Sequence, residues 1–355
     1  MDALTREIVE LTKALIRFPS TAADPGARKA CADHIAATLD AWGIGFERLE
    51  HEGVESILAL PEPGRCRVLL MAHYDVVAAP AALFEPREED GKLFGRGAID
   101  DKYAVALAMA LLKRQKGQGG AMPLGVLLTG DEETGGRNGA RHALQHVQAE
   151  LGIALDGGSP RTLVTLQKGV IRFRLTARGK AAHGARPWMG GNAIEALMAD
   201  LARVRALFTD DAPDHWHKTL NIGVIQGGTV VNMVPAEAWA LLDIRHTERE
   251  DPEALKAAVR AAVRGELELT NQSVQFNGGD SPLLDLLDAS VPGLERGRSH
   301  GATDARFLSE RGIPGAVWGA RGDGTQHTAG EYLHLDSLEE LTASMARFLD
   351  SVPAK

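Results

Sequence analysis

Val68-Leu-Leu-Met-Ala-His-Tyr-Asp75 is the stretch on which the reading of the fold turns. Val68 to Met71 is apolar without alternation, the pattern of a central strand covered on both faces. Val54 to Leu60, Leu124 to Leu128 and Ile153 to Leu155 are further short apolar runs, and helical stretches separate them. Strands alternating with helices predict a doubly wound α/β sheet, in which ligands gather beyond the carboxyl ends of the strands. His73, Asp131 to Glu133 and Asp156 each follow directly on such a run. Their common position points to one shared site.

Upstream, Leu4, Ile8, Leu11 and Leu15 recur at helical spacing until Pro19. A second helix carries Ile35, Leu39 and Trp42 on one face, with Gly43 as its C-terminal cap. Gly95-Arg-Gly-Ala-Ile-Asp-Asp-Lys102 is a glycine turn that delivers Asp100 and Asp101 to the start of an apolar helix, Tyr103 to Leu112.

Near Gly169 the texture changes. Ile171, Phe173 and Leu175 alternate with Arg172, Arg174 and Thr176, the period of a half-exposed antiparallel strand. A helix from Ala193 to about Leu207 follows, then a polar loop from Thr209 to Lys218 that holds His215 and His217. Strands Leu220 to Ile225 and Ala236 to Ile244, a helix Pro252 to Val263 and a last strand Glu266 to Phe276 complete a ferredoxin-like α+β order. The expected division is residues 1–170 and 278–355 in one domain, with 171–277 inserted as a second.

A length of 355 residues suits one large domain or two ordinary ones, and 44% hydrophobic with 25% charged residues is a globular composition. The net charge of −9 argues against a nucleic-acid partner and favours sites that collect cations. Cys31 and Cys66 form no C-x-x-C pair, and no run of about 18 apolar residues occurs, so the expectation is a cytoplasmic protein without a membrane span.

The chemistry lies in spaced acids and imidazoles. His73 and Asp75, two apart at a strand end, share a face, and a carboxylate there suits the free N–H of a metal-bound imidazole. The tripeptide alone equally describes a solvated strand end. Asp131-Glu-Glu133 repel one another unless a cation or a proton is shared, and of two adjacent glutamates one can ligate while the other moves protons. His327 lies in a glycine-rich loop, Gly319 to His327. Together His73, Asp100, Glu133, Asp156 and His327 offer nitrogen and carboxylate donors without thiolate, a set suited to zinc, or to cobalt or manganese in its place. Five such ligands exceed one tetrahedral ion but fit two ions with a bridging aspartate. His142 and His146, four apart on a helix, have no acid or third ligand in sequence and read as a surface face; His51 has no visible partner.

These motifs, in this order, resemble the dinuclear-zinc amidohydrolases and exopeptidases that include acetylornithine deacetylase, succinyl-diaminopimelate desuccinylase, carboxypeptidase G and carnosinase-type dipeptidases. The resemblance spans essentially the whole chain. It implies a zinc-exopeptidase-like catalytic domain, two zinc ions per subunit, and an inserted lid that forms a homodimer. Asp100 would bridge the ions, with His73 and Asp156 on one and Glu133 and His327 on the other. Glu132 would be the general base and Asp75 the orienter of His73. Gly179-Lys-Ala-Ala-His183-Gly is similar to the motif whose histidine reaches a neighbouring subunit's site, and Asn232, Arg245 and Thr303 fall in motifs that contact substrate. Departures are Asp156 where many deacylases carry Glu, Gly330 where Asn is frequent, and Ala320 for a usual Pro. Aspartate at that ligand position is commoner among the peptidases.

The implied reaction is hydrolysis of an amide bond in small peptides or N-acyl amino acids by metal-activated water. A dedicated biosynthetic deacylase is the near alternative. A non-catalytic binding relative is remote, since neither Glu132 nor any of the five ligands is missing.

Overall fold

The computed structural model describes residues 1–353 apart from 120–121, 211 and 213–215; part of the polar loop, His215 included, therefore lies outside the described residues. The chain forms two compact units. The larger holds Met1–Leu166, Phe276–Ser299 and Thr303–Lys355, and the smaller holds Gln167–Gln275 with His300–Ala302.

Arg65–His73 is the central strand of a nine-stranded sheet in the larger unit, parallel to Leu124–Thr129 on one side and to Gln148–Ala154 on the other. Gly315–Val317 extends the parallel part, and antiparallel Val54–Ala59 and Thr162–Gln167 flank it. Alternation along the central strand divides its residues between two cores. Val68, Leu70 and Ala72 pack in the cluster that includes Ile8, Ile35, Tyr103 and Phe348, from the helices Ala3–Ile16, Pro25–Ala41, Lys102–Gln118 and Leu335–Ser351. Leu69 and Met71 pack in the other, with Ala140, Ala143, Phe307 and Leu308. The apolar run is thus a strand sandwiched by helices, the doubly wound arrangement its composition predicts. Helix Lys102–Gln118 is buried from Lys102 through Leu112, and Lys102 Nζ donates to the carbonyls of Leu15 and Phe18 at the end of the first helix.

The smaller unit is a four-stranded antiparallel sheet ordered Thr219–Gly227, Glu237–His246, Gly169–Arg178, Glu266–Ser273. With helices Ala193–Arg205 and Pro252–Ala262 this is the expected ferredoxin-like fold. Ile171, Phe173, Leu175 and Ala177 pack with Leu197, Leu201, Val204, Leu255 and Val259, so both helices share one sheet face. The last strand stops at Ser273; Phe276, read in sequence as its end, lies instead with Asn277 in a short strand of the larger unit's sheet. Among the described residues no helix is long and apolar enough to cross a membrane.

Candidate active site

Five segments of the larger unit converge: the end of strand Arg65–His73, the turn 95–101, the loop after Leu124–Thr129, the turn after Gln148–Ala154, and the glycine loop 319–330. Each delivers its side chain from a strand end or turn, where backbone direction changes and a polar group can leave the core.

Asp100 is the centre. Its Oδ1 lies 3.1 Å from His73 Nε2 and its Oδ2 3.0 Å from His327 Nε2. His327 Nε2 is also 3.2 Å from Glu133 Oε2, and Asp156 Oδ2 is 4.0 Å from His73 Nε2. The predicted ligands thus form two triads, His73–Asp100–Asp156 and Asp100–Glu133–His327, the ligand atoms of each within 4.8 Å of one another. Asp100 belongs to both.

The protonation of His73 follows from its surroundings. Nδ1 is 3.0 Å from the main-chain oxygen of Asp75, which can only accept, so Nδ1 carries a hydrogen, and Nε2, hydrogen-bonded to Asp100 here, is the nitrogen that could give up its proton to ligate a cation. The Asp75 carboxylate, 3.4 Å from Nδ1, has further partners: Oδ1 and Oδ2 accept the backbone N–H groups of Glu132 and Glu133, each at 3.1 Å. One buried aspartate therefore orients the imidazole and the adjacent glutamates together.

Three further residues, Glu331, Asp304 and Arg306, are given no role of their own in sequence. Glu331 Oε1 accepts the N–H groups of Gly97 at 2.9 Å, Ile99 at 3.1 Å and Asp100 at 3.2 Å, and Oε2 pairs with Arg96. It thereby binds the turn that presents Asp100 to the loop that presents His327. Arg306 Nη1 lies 3.9 Å from Glu132 Oε1, and Arg306 donates to the carbonyls of Thr303 and Gly135. Asp304, paired with Arg306 at 3.3 Å, lines a small cavity with His73, Glu132 and Asp156. Gly136, at φ +63, leaves room for Asp304: an added Cβ would stand 2.0 Å from Asp304 Oδ1. The signal in sequence was slight, an acid and an arginine within Gly301-Ala-Thr-Asp-Ala-Arg306. Thr303 is buried beside them, its Oγ1 accepting the N–H of Ala305 at 3.3 Å.

Electrostatics report a crowded anionic site. Burial pushes the Glu132 carboxyl well above its usual range, with Asp304 adding like charge. Burial likewise raises Asp156, beside Asp100, to about 7, and raises Asp304 to about 7. Burial opposes charge on Asp100 and His73 too, but their mutual hydrogen bond and those to His327 and Asp75 outweigh it, so Asp100 is held low and His73 high. Hydrogen bonds to Asp100 and Glu133 lift His327 to about 10. Such a concentration of carboxylates around two imidazoles is what divalent cations would relieve, and nitrogen-plus-oxygen donors fit borderline ions such as zinc.

The smaller unit carries the other predicted residues. His183 and Asn232 come together there: strand Ala182–His183 pairs with Met233–Val234, and Gly184 N–H donates to the Asn232 carbonyl at 2.7 Å. Both side chains are exposed. Arg245 stands apart near the far end of strand Glu237–His246, its Nε 2.6 Å from Asp243 Oδ1, and Asp243 also accepts from Arg172.

Residues 69–351 match the model of peptidase family M20/M25/M40. The chain is 30% identical to a succinyl-diaminopimelate desuccinylase of Magnetococcus marinus, covering 96% of this chain and 97% of that one. It is also 30% identical to a probable carboxypeptidase of Aspergillus niger, over 76% and 71% of the two chains. In fold it is similar to aminopeptidase PepT of Bacillus cereus, with a TM-score of 0.78, 19% identity and 98% of each chain covered. The chain belongs to peptidase family M20/M25/M40 and is a metal-dependent hydrolase acting on C–N bonds.

Proposed function

We propose that this enzyme hydrolyses the amide bond of small peptides or N-acyl amino acids, with two zinc ions, or cobalt or manganese, held by the paired triads. The observation that carries this reading is Asp100, shared between His73–Asp156 and Glu133–His327 while Glu132 stays outside both groups. Bound there, the cations would acidify a water and polarise the amide carbonyl. Glu132, raised by burial and fixed at its backbone by Asp75, takes the water's proton and returns it to the departing nitrogen. Arg306 lies close enough to hold the Glu132 carboxylate in place, and Thr303 sits in the same turn as a substrate contact.

His183 and Asn232, adjacent and exposed, act as a unit, His183 on the developing oxyanion and Asn232 on the substrate. In this reading His183 and Asn232 serve a partner subunit, and Arg245 holds a substrate carboxylate, exchanging Asp243 for it. A homodimer through the smaller unit is part of the reading. So are the assignment of this unit as an inserted lid and a cytoplasmic location, the latter supported by two buried free cysteines.

A dedicated biosynthetic deacylase is the second reading, favoured by the end-to-end likeness to a desuccinylase; Asp156 in place of Glu favours peptides. Amine release from a panel of dipeptides, N-acetyl and N-succinyl amino acids, with each metal, separates them. Glu132→Gln should keep its metal and lose about 10²–10⁴ in rate. No release from any substrate with any of the three metals would refute the proposal.

A further inference from the structure

Away from the carboxylate cluster, three imidazoles meet on the surface of the larger unit. His142 and His146 lie four residues apart in the helical stretch formed by Ala140–Ala143 and Leu144–His146. The fold brings His51, the last residue of strand Glu47–His51, against them. The rings of His142 and His146 are 5.4 Å apart between centres, with planes at 61°. His51 and His142 stack at 4.3 Å and 15°. His51 and His146 are exposed and His142 is half-buried.

Two imidazoles sharing a tetrahedral ion, each nitrogen about 2.0–2.1 Å from it, have ring centres roughly 5 Å apart. The spacing of His142 and His146 therefore matches that of two imidazoles on one ion, with side-chain rotation left to aim their nitrogens. Two stacked rings cannot both aim a nitrogen at one ion at tetrahedral angles, so His51 must turn out of the stack. It stands at the exposed end of a hairpin, and its Nδ1 contacts the Asn138 amide oxygen at 3.2 Å, a bond easily exchanged. The other side of the cluster is anchored: the Asp131 carboxylate accepts the N–H groups of Asn138 at 3.0 Å and Gly139 at 2.9 Å, fixing the turn into Ala140–Ala143. Burial and the two neighbouring imidazoles hold His142 below the ordinary histidine value, which leaves its ring neutral and its lone pair open at neutral pH.

We propose that His51, His142 and His146 form an auxiliary site for one divalent transition-metal ion, distinct from the carboxylate site. Donors that are all imidazole select zinc, nickel, copper or cobalt over magnesium or calcium.

The test is equilibrium dialysis of the intact enzyme against graded zinc, with bound metal counted beside turnover. His142→Gln and, separately, the exposed His146→Gln should each hold one equivalent less than the parent while turning over substrate at the parental rate. His51→Ala, which leaves the helical pair to hold the ion, should fill the same position only at higher zinc. Equal metal content in parent and both glutamine variants at every concentration overturns the site. So does a fall in turnover that tracks the lost equivalent, since the ion then belongs to the carboxylate cluster. His51→Ala filling at the parental zinc concentration overturns the three-histidine assignment.

Discussion

Asp100 reaches two histidines with its two oxygens because Glu331 fixes the backbone beneath it. Glu331→Gln keeps an acceptor for the three N–H groups but leaves Arg96, buried on all sides, without its anion. Breaking such a pair costs about 3–5 kcal/mol. The looser turn should also weaken metal binding by about 10–100-fold, with kcat recovering at saturating metal; dialysis and kinetics measure both, and unaltered affinity would remove Glu331 from the site. At Asp156 the prediction concerns the ion itself. Asp156→Ala should leave protein holding about one equivalent, whereas Asp156→Glu should hold two and change the relative rates on peptide and acyl substrates, since a longer carboxylate displaces its ligand atom. Two tightly held ions in the alanine variant, or an unchanged substrate ranking in the glutamate variant, count against these roles.

Among the elements, strand Thr219–Gly227 is the edge of the smaller unit's sheet, and it exposes Val224 and Ile225. Met198 is exposed on helix Ala193–Arg205 in the same unit. A bare edge strand with apolar side chains pairs readily with its own copy about a two-fold axis. Ile225→Lys places a charge where a second strand would dock and removes no core contact, because Ile225 is 54% exposed. Sedimentation should find the variant monomeric and folded, with turnover reduced roughly 10²–10³-fold through loss of the partner's oxyanion donor. A dimeric variant, or a fully active monomer, contradicts the proposed assembly.

At the scale of the whole molecule, cations and quaternary structure become testable together. Burial raises Asp156 and Asp304 each to about 7, so without metal the folded chain holds protons that the unfolded chain has released above about 4. The unfolded state then binds fewer protons, and stability falls as pH rises from about 4 through 7. Chelated enzyme should show that falling Tm and metal-loaded enzyme should not, because cations keep the carboxylates ionised and bind only the folded state. Two inactive variants, His183→Ala and Glu132→Ala, test assembly directly when dissociated and reassociated together. About half the dimers are then mixed, each with one site holding an intact Glu132 and the partner subunit's His183, so about a quarter of all sites should recover. Activity that stays at the level of the separate variants, with mixed dimers present, means that His183 serves its own chain.

Periodicity alone was enough to place a sandwiched strand at Val68–Met71, within the observed Arg65–His73, the acids and histidines directly after strands, and the ferredoxin-like order of the smaller unit. Those features are local: apolar periodicity and strand ends are written within a few residues. Its failure at Phe276 is of the same kind, because a single apolar residue suits either sheet and only the fold chooses. Tertiary structure decided what joins distant segments. Glu331 meets the turn at Gly97, Asp75 spans to the amides of Glu132 and Glu133, and His51 stacks on His142. None of these pairings leaves a mark on either partner's neighbours, since a hydrogen bond or ring contact between remote segments imposes no period on the chain. The fold alone closes the distance between them.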